Sequence, residues 1–175
     1  MEVANFSGVE IGWLQTVREI PGFLAVGVIL VLVIMREQTL ALLSLVALGA
    51  AVAVTSLFPS FAGLLITTAI GSLGFHYYET VNQSLQLQWL EKDRAPQIIG
   101  WLVAAGSAAS LLAYGLIALV FSWGGFGYDG VYIVGGGITA LIAAYCWVAY
   151  PSFPIKTRQH NRVIIRRRYW LYYAL

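Results

Sequence analysis

From Thr39 to Leu57 the chain reads TLALLSLVALGAAVAVTSL, a run with no charged side chain. A helix needs about 20 such residues, each rising ~1.5 Å, to cross ~30 Å of hydrocarbon. Working outward from this run, similar stretches occupy about 9–35, 61–89, 98–121 and 131–150, and the last two are also free of charge. The breaks are Arg36-Glu37-Gln38, Pro59, Glu91-Lys92-Asp93-Arg94-Ala95-Pro96 and Gly124-Gly125-Phe126-Gly127. Proline, glycine and mixed charge stop one element and start the next. Composition agrees: 59% of residues are hydrophobic and 10% charged, against about 25% charged in an ordinary soluble domain. Mean hydropathy is +0.78, more apolar surface than a soluble core of this size absorbs. The predicted fold is all-α, a multi-pass transmembrane helical bundle of about five spans filling residues 1–150. A basic loop at 151–168 and the start of a further, truncated helix at 169–175 follow.

Cytoplasmic flanks carry the Lys and Arg excess. If the spans alternate, Arg36, Lys92, Arg94, Lys156, Arg158, Arg162, Arg166, Arg167 and Arg168 share one side, and Glu2, Glu10 and Asp129 lie opposite. This predicts an outside N-terminus and a cytoplasmic C-terminus in a plasma or inner membrane. Aromatic residues mark the borders, with Trp13, Phe58, Trp123 and Tyr128 outside and Trp89, Trp101, Trp147 and Tyr150 inside. The basic tail holds its loop inside, and no nucleic-acid partner is expected. The lipid bilayer is the first expected partner. A short outside N-terminus without a positively charged leader, and a last stretch resembling the entry to a sixth span, lead us to expect a piece of a larger protein. The single Cys146 allows no intrachain disulfide.

Ionisable residues inside spans are the functional candidates, because a charge near the bilayer centre costs roughly 2.5–3.5 kcal/mol on insertion scales. In the third span Ser72, His76, Glu79, Asn82, Gln83 and Gln86 fall within an arc of roughly 120° at 100° per residue. Such a stripe needs water, substrate or another polar helix beside it. His76 and Glu79, one turn apart, are candidates to share a proton. The alternative is an interhelical hydrogen-bond cluster that pins the span to its neighbours. The first span carries a second arc, Gln15, Arg18 and Glu19 with Gly22, and a kink is expected at Pro21. Arg18 either binds an anionic group, pairs with Glu19 or an acid elsewhere, or snorkels to the outer interface. Gly106 with Ser110, and Gly135 with Thr139 and Ala143, recur at four-residue spacing that lets helices approach closely. Gly135-Gly136-Gly137 lacks the Lys-Ser/Thr pair of a phosphate loop. Ser72 stands one turn before His76, but a lone Ser-His spacing is a weak signal and more often a packing hydroxyl, and no second His or acid stands at metal-ligand spacing, so no enzyme, metal or cofactor is expected.

In helix order, loop length and orientation the chain resembles the second to sixth helices of a major facilitator superfamily transporter, with its basic central loop and the start of the seventh. The family's loop signature, Gly-x-x-x-Asp-Arg-x-Gly-Arg-Arg, is met only by Gly27 upstream and Arg36 within Met35-Arg36-Glu37-Gln38. The Asp and the second Gly are missing. Gly106-Ser107-Ala108-Ala109-Ser110 lacks the proline of the drug-antiporter motif, so that subtype is not expected. The resemblance implies part of a six-helix half, a fourth helix lining a central cavity, and alternating access against the C-terminal half as partner. It implies a small-molecule substrate bound by His76, Glu79, Asn82, Gln83 and Gln86, then by Gln15, Arg18 and Glu19. The competing expectation is a non-transporting membrane scaffold or accessory subunit built from five helices.

Overall fold

The computed structural model describes residues 6–122, 127–152, 154 and 167–169. The expected turn at 124–126, the cations Lys156, Arg158, Arg162 and Arg166, and the helix start at 170–175 lie outside the described residues. Among the described residues there is no strand, and Arg167–Tyr169 form one turn of 3-10 helix.

The expected first span is not one helix. Helix α1, Gly8–Phe23, opens on a capping box: Ser7 Oγ accepts the Glu10 N–H at 3.3 Å and the Glu10 carboxylate accepts the Ser7 N–H at 2.8 Å. Its ladder fails soon after Pro21, which has no N–H to give. A 3-10 segment, Leu24–Gly27, intervenes before the short α2, Val28–Val31. Two glycines in this broken stretch make room for rings of the third span. A Cβ on Gly22 would lie 3.2 Å from His76 Cε1, and one on Gly27 would lie 2.9 Å from the Tyr77 hydroxyl.

The remaining elements follow the apolar runs. Helix α3, Glu37–Val54, tightens into a 3-10 turn at Thr55–Leu57 before Pro59. Helix α4, Phe61–Trp89, is capped by Ser60, whose Oγ accepts the Gly63 N–H at 3.1 Å. Helix α5, Ala95–Ser122, carries Pro96 in its first turn, where a missing N–H costs nothing. Helix α6, Tyr128–Ala149, stops where Pro151 forces Tyr150 into extended backbone, φ −84° and ψ 132°. Helices α3 and α6 begin two and three residues before their apolar runs, where Glu37 and Asp129 suit the positive end of a helix dipole. Among the described residues three segments are long and apolar enough to cross a membrane: Glu37–Leu57, Ala95–Ser122 and Tyr128–Ala149. Helix α4 is longer still, but its second half carries the polar stripe.

Helix α3 is the hub. It packs along both α4 and α6, and α1 packs along α4. Residue pairings set the directions: Glu37 meets Ser84 and Gln88, and Ser44 meets Gly74, so α3 and α4 are antiparallel. Gln38 reaches Pro151 and Gly49 meets Gly136, so α3 and α6 are antiparallel too. Arg18 lies beside Ser72 and Gly22 beside His76, which makes α1 parallel to α4.

Between helices in lipid, close backbone approach and interhelical hydrogen bonds do what water expulsion does in a soluble core. A Cβ on Gly74 would stand 2.6 Å from the Ser44 carbonyl oxygen and 2.8 Å from the Leu48 nitrogen. One on Gly49 would stand 2.6 Å from the Ala140 nitrogen, and one on Gly136 would run into Ala53 N and Gly49 O. Of the expected set on α6, Ala143 lies in the seam, but Gly136 and Ala140 take the places expected for Gly135 and Thr139. Gly136 and Ala143 are buried in the seam, whereas a Cβ on Gly135 would meet open space. Gly106 likewise has nothing within 4 Å, and no residue of α5 is buried. Where α2 meets α3 and α4, Val28, Leu40, Ala41 and Val81 form a small buried cluster.

The Ser72 hydroxyl, buried in the α1–α4 seam, donates to the Arg18 carbonyl. Hydrogen bonds of this kind between membrane helices average about 0.6 kcal/mol, with a maximum near ~1.7. Ser72→Ala is therefore expected to lower the unfolding free energy in mixed micelles by about that much. An unchanged midpoint in a detergent-unfolding titration would show that the bond does not hold α1 in place.

Candidate functional site

A cleft of about 490 Å³ opens at the end of the bundle where α3 begins and α4 and α6 finish. Glu37, Gln38, Ala41 and Leu42 enter it from α3, and Tyr78, Asn82, Leu85, Gln86 and Trp89 from α4. Leu102 of α5 and Cys146 and Tyr150 of α6 complete its walls. Arg36, just before α3, and Leu90, just past α4, also line it. A recess of about 130 Å³ adjoins it, sharing Arg36, Gln38, Leu42 and Tyr150.

Glu37 anchors one side. Its carboxylate accepts from the Ser84 hydroxyl at 3.0 Å and from Gln88 Nε2 at 2.6 Å, and Gln88 Nε2 also donates to Ser84 Oγ at 3.1 Å. The arrangement is a closed triangle. Ser84 and Gln88 are four residues apart on α4, so both present to the same point on α3. A second bond, Gln38 Nε2 to the Pro151 carbonyl at 3.1 Å, ties the start of α3 to the chain just beyond α6.

The candidates from the sequence divide into four groups. Asn82 and Gln86 line the cleft, both half-buried, and neither amide hydrogen-bonds to another described residue. His76 faces α1 over Gly22, edge-on to Phe75 with ring centroids 5.3 Å apart. Glu79 and Gln83 are exposed on α4. Among the described residues no hydrogen bond or ion pair joins His76 to Glu79. On α1, Gln15, Arg18 and Glu19 are exposed, and Arg18 Nη2 pairs with its neighbour Glu19 at 2.9 Å. With both partners more than half exposed, such a pair contributes little to stability. The arc on α1 and the amides of α4 therefore do not meet in one site.

Glu37 and Tyr78 are cleft residues that the sequence reading passed over. Glu37 sits in a charged connector and reads as a loop residue; the clue lay in Ser84 and Gln88, a polar pair at helical spacing. Among the described residues no three His, Cys, Asp or Glu side chains come together to hold a metal ion. The helices and the cleft define a class, an all-helical protein suited to the membrane with a polar-edged cavity at one end. No family model, curated protein or solved structure matches the chain.

Proposed function

We propose that the chain is part of a secondary active transporter of the facilitator type, which carries a small solute across a membrane by alternating access. The observation that carries this reading is the cleft itself. Two unpaired amides, Asn82 and Gln86, face a cavity between helices otherwise built to lie in lipid. A polar pair in a cavity between apolar helices is retained when water or a solute answers it. Five spans with alternating directions agree with the parallel α1 and α4 and the antiparallel α3. They put the cleft at the end that carries Arg36, Lys92 and Arg94, which the cationic excess makes cytoplasmic. An opposing half, rocking against this one, closes the site from the other side. Glu79, exposed on α4 one turn below His76, then meets that half and carries the coupling proton.

The reading is tested with the complete protein in cells. Solute profiles of cells that produce it are compared with cells that do not, and with cells producing an Asn82→Ala/Gln86→Ala variant. At least one solute should change between the first two and revert in the third; identical profiles in all three would remove transport. Coupling has its own test. Glu79→Gln should cut uptake driven by a proton gradient at least ~10-fold, equivalent to about 1.4 kcal/mol. Uptake by the unsubstituted protein that is flat across pH would sink it.

A further inference from the structure

We infer that the cleft takes an uncharged, ring-bearing solute recognised through an amide-like donor–acceptor edge, and that it discriminates against carboxylates and ammonium ions. This rests on the cleft being a solute site. Charge is the first consideration. Among the described residues, the ionic groups lining the cleft are the neighbours Arg36 and Glu37, of opposite sign. The Glu37 carboxylate already accepts from Ser84 and Gln88, and Arg36 is engaged as well. Side by side, these opposite charges leave the described lining with no net charge, so a carboxylate or ammonium ion entering here would be desolvated without a net counter-charge among the described residues, which burial penalises.

The free polar groups point to the complementary chemistry. Asn82 and Gln86 stand one turn apart on α4, and each carboxamide presents one acceptor and a two-hydrogen donor. A ring amide or lactam offers the matching pair, a carbonyl beside an N–H. The rest of the lining suits a flat ring. Tyr78, Trp89 and Tyr150 contribute aromatic surface, which favours offset or edge contact with another ring. The volume of about 490 Å³ is within the range of small-molecule sites and exceeds what a simple ion requires.

Cys146, the single cysteine of the chain, lines the same cleft and reports on its occupancy. The chain in lipid nanodiscs is treated with methyl methanethiosulfonate, and modification of Cys146 is followed by mass spectrometry. Uracil and nicotinamide are the uncharged probes; orotate and nicotinate are the same rings with a carboxylate. Uracil or nicotinamide at saturation should slow modification at least ~10-fold, and the matched anion should need a concentration at least ~10-fold higher, equivalent to about 1.4 kcal/mol. An Asn82→Leu/Gln86→Leu variant should lose protection while the unprotected rate stays within about twofold. If that pair fails to fold, Gln86→Glu alone keeps the shape of the side chain and should weaken protection by the uncharged probes. Orotate or nicotinate protecting as well as its neutral twin would overturn the inference, and so would absence of protection by all four. Protection in the chain, without any solute change in cells bearing the complete protein, would keep the ligand class and remove transport. Transport of an anion that also protects Cys146 as well as its neutral twin would keep transport and remove the ligand class.

Discussion

Gly136→Leu is expected to separate α6 from α3 and leave a protein that no longer elutes as a single species in mild detergent. The reason is geometric. Even the first carbon of a side chain at this position would run into Ala53 N and Gly49 O, and neither is the flexible end of a side chain that swings aside. Overpacking a core costs about 1–3 kcal/mol when side chains can shift. Here backbones must move apart, so the cost exceeds that range and the seam opens. Gly135→Leu is the matched control, because its Cβ would meet nothing within 4 Å. Replacing a helical glycine at that open position should even gain up to about 0.8 kcal/mol from helix propensity. Elution profiles and unfolding temperatures of the two variants, measured side by side, decide the matter. Equal stability would mean that α3 and α6 do not cross at Gly49 and Gly136.

Glu37→Ala should have the next largest effect, expressed at the cleft. Its removal leaves the Ser84 hydroxyl and the Gln88 amide without their acceptor in a half-buried place. Hydrogen bonds to a charged group contribute about 1.5–3 kcal/mol each, and partial exposure puts the pair toward the low end of their sum. The start of α3 also loses an acid at its positive end, and Arg36 supplies no side-chain cap in its place. A total of about 3–4 kcal/mol corresponds to a fall in unfolding temperature of roughly 6–16 °C for a chain of this size. Glu37→Gln should fall by less, since its amide oxygen still accepts one of the two bonds. A fall for Glu37→Gln as large as for Glu37→Ala would show that charge, rather than the hydrogen-bonded triangle, holds α3 to α4 here.

The helices were legible because the physics that makes them is local. An unbroken apolar run such as 39–57 has few ways to satisfy its backbone in lipid, and Pro59, Pro96 and Pro151 mark ends that no packing can erase. The break in the first span was half visible: Pro21 announced a kink, but the 3-10 stretch after it depends on where His76 and Tyr77 of another helix come to rest. The seam on α6 was not legible. Gly135, Gly136 and Gly137 are equivalent in composition, and only the approach of α3 selects the middle one. Nor does any periodicity mark α5 as solitary, since a helix that is apolar all round has no face to reveal. Asn82 and Gln86 stood out as polar groups on a spanning helix, whereas Glu37 did not. Its meaning lies in two side chains far along the chain, and a charge in a connector is ordinarily just solvated.

The position of α3 at the hub also has a temporal meaning. Its partners emerge in two instalments: α4 follows at once, but the glycine seam with α6 cannot close until all of α4 and α5 have been synthesised. At about 5–20 residues per second, several seconds separate the birth of Gly49 from the arrival of Gly136. During that interval the groove reserved for α6 lies open to lipid or to the insertion machinery. A ribosome stalled before Tyr128 would thus display an unmated helix surface, the kind of flaw by which membrane quality control distinguishes an unfinished chain from a finished one.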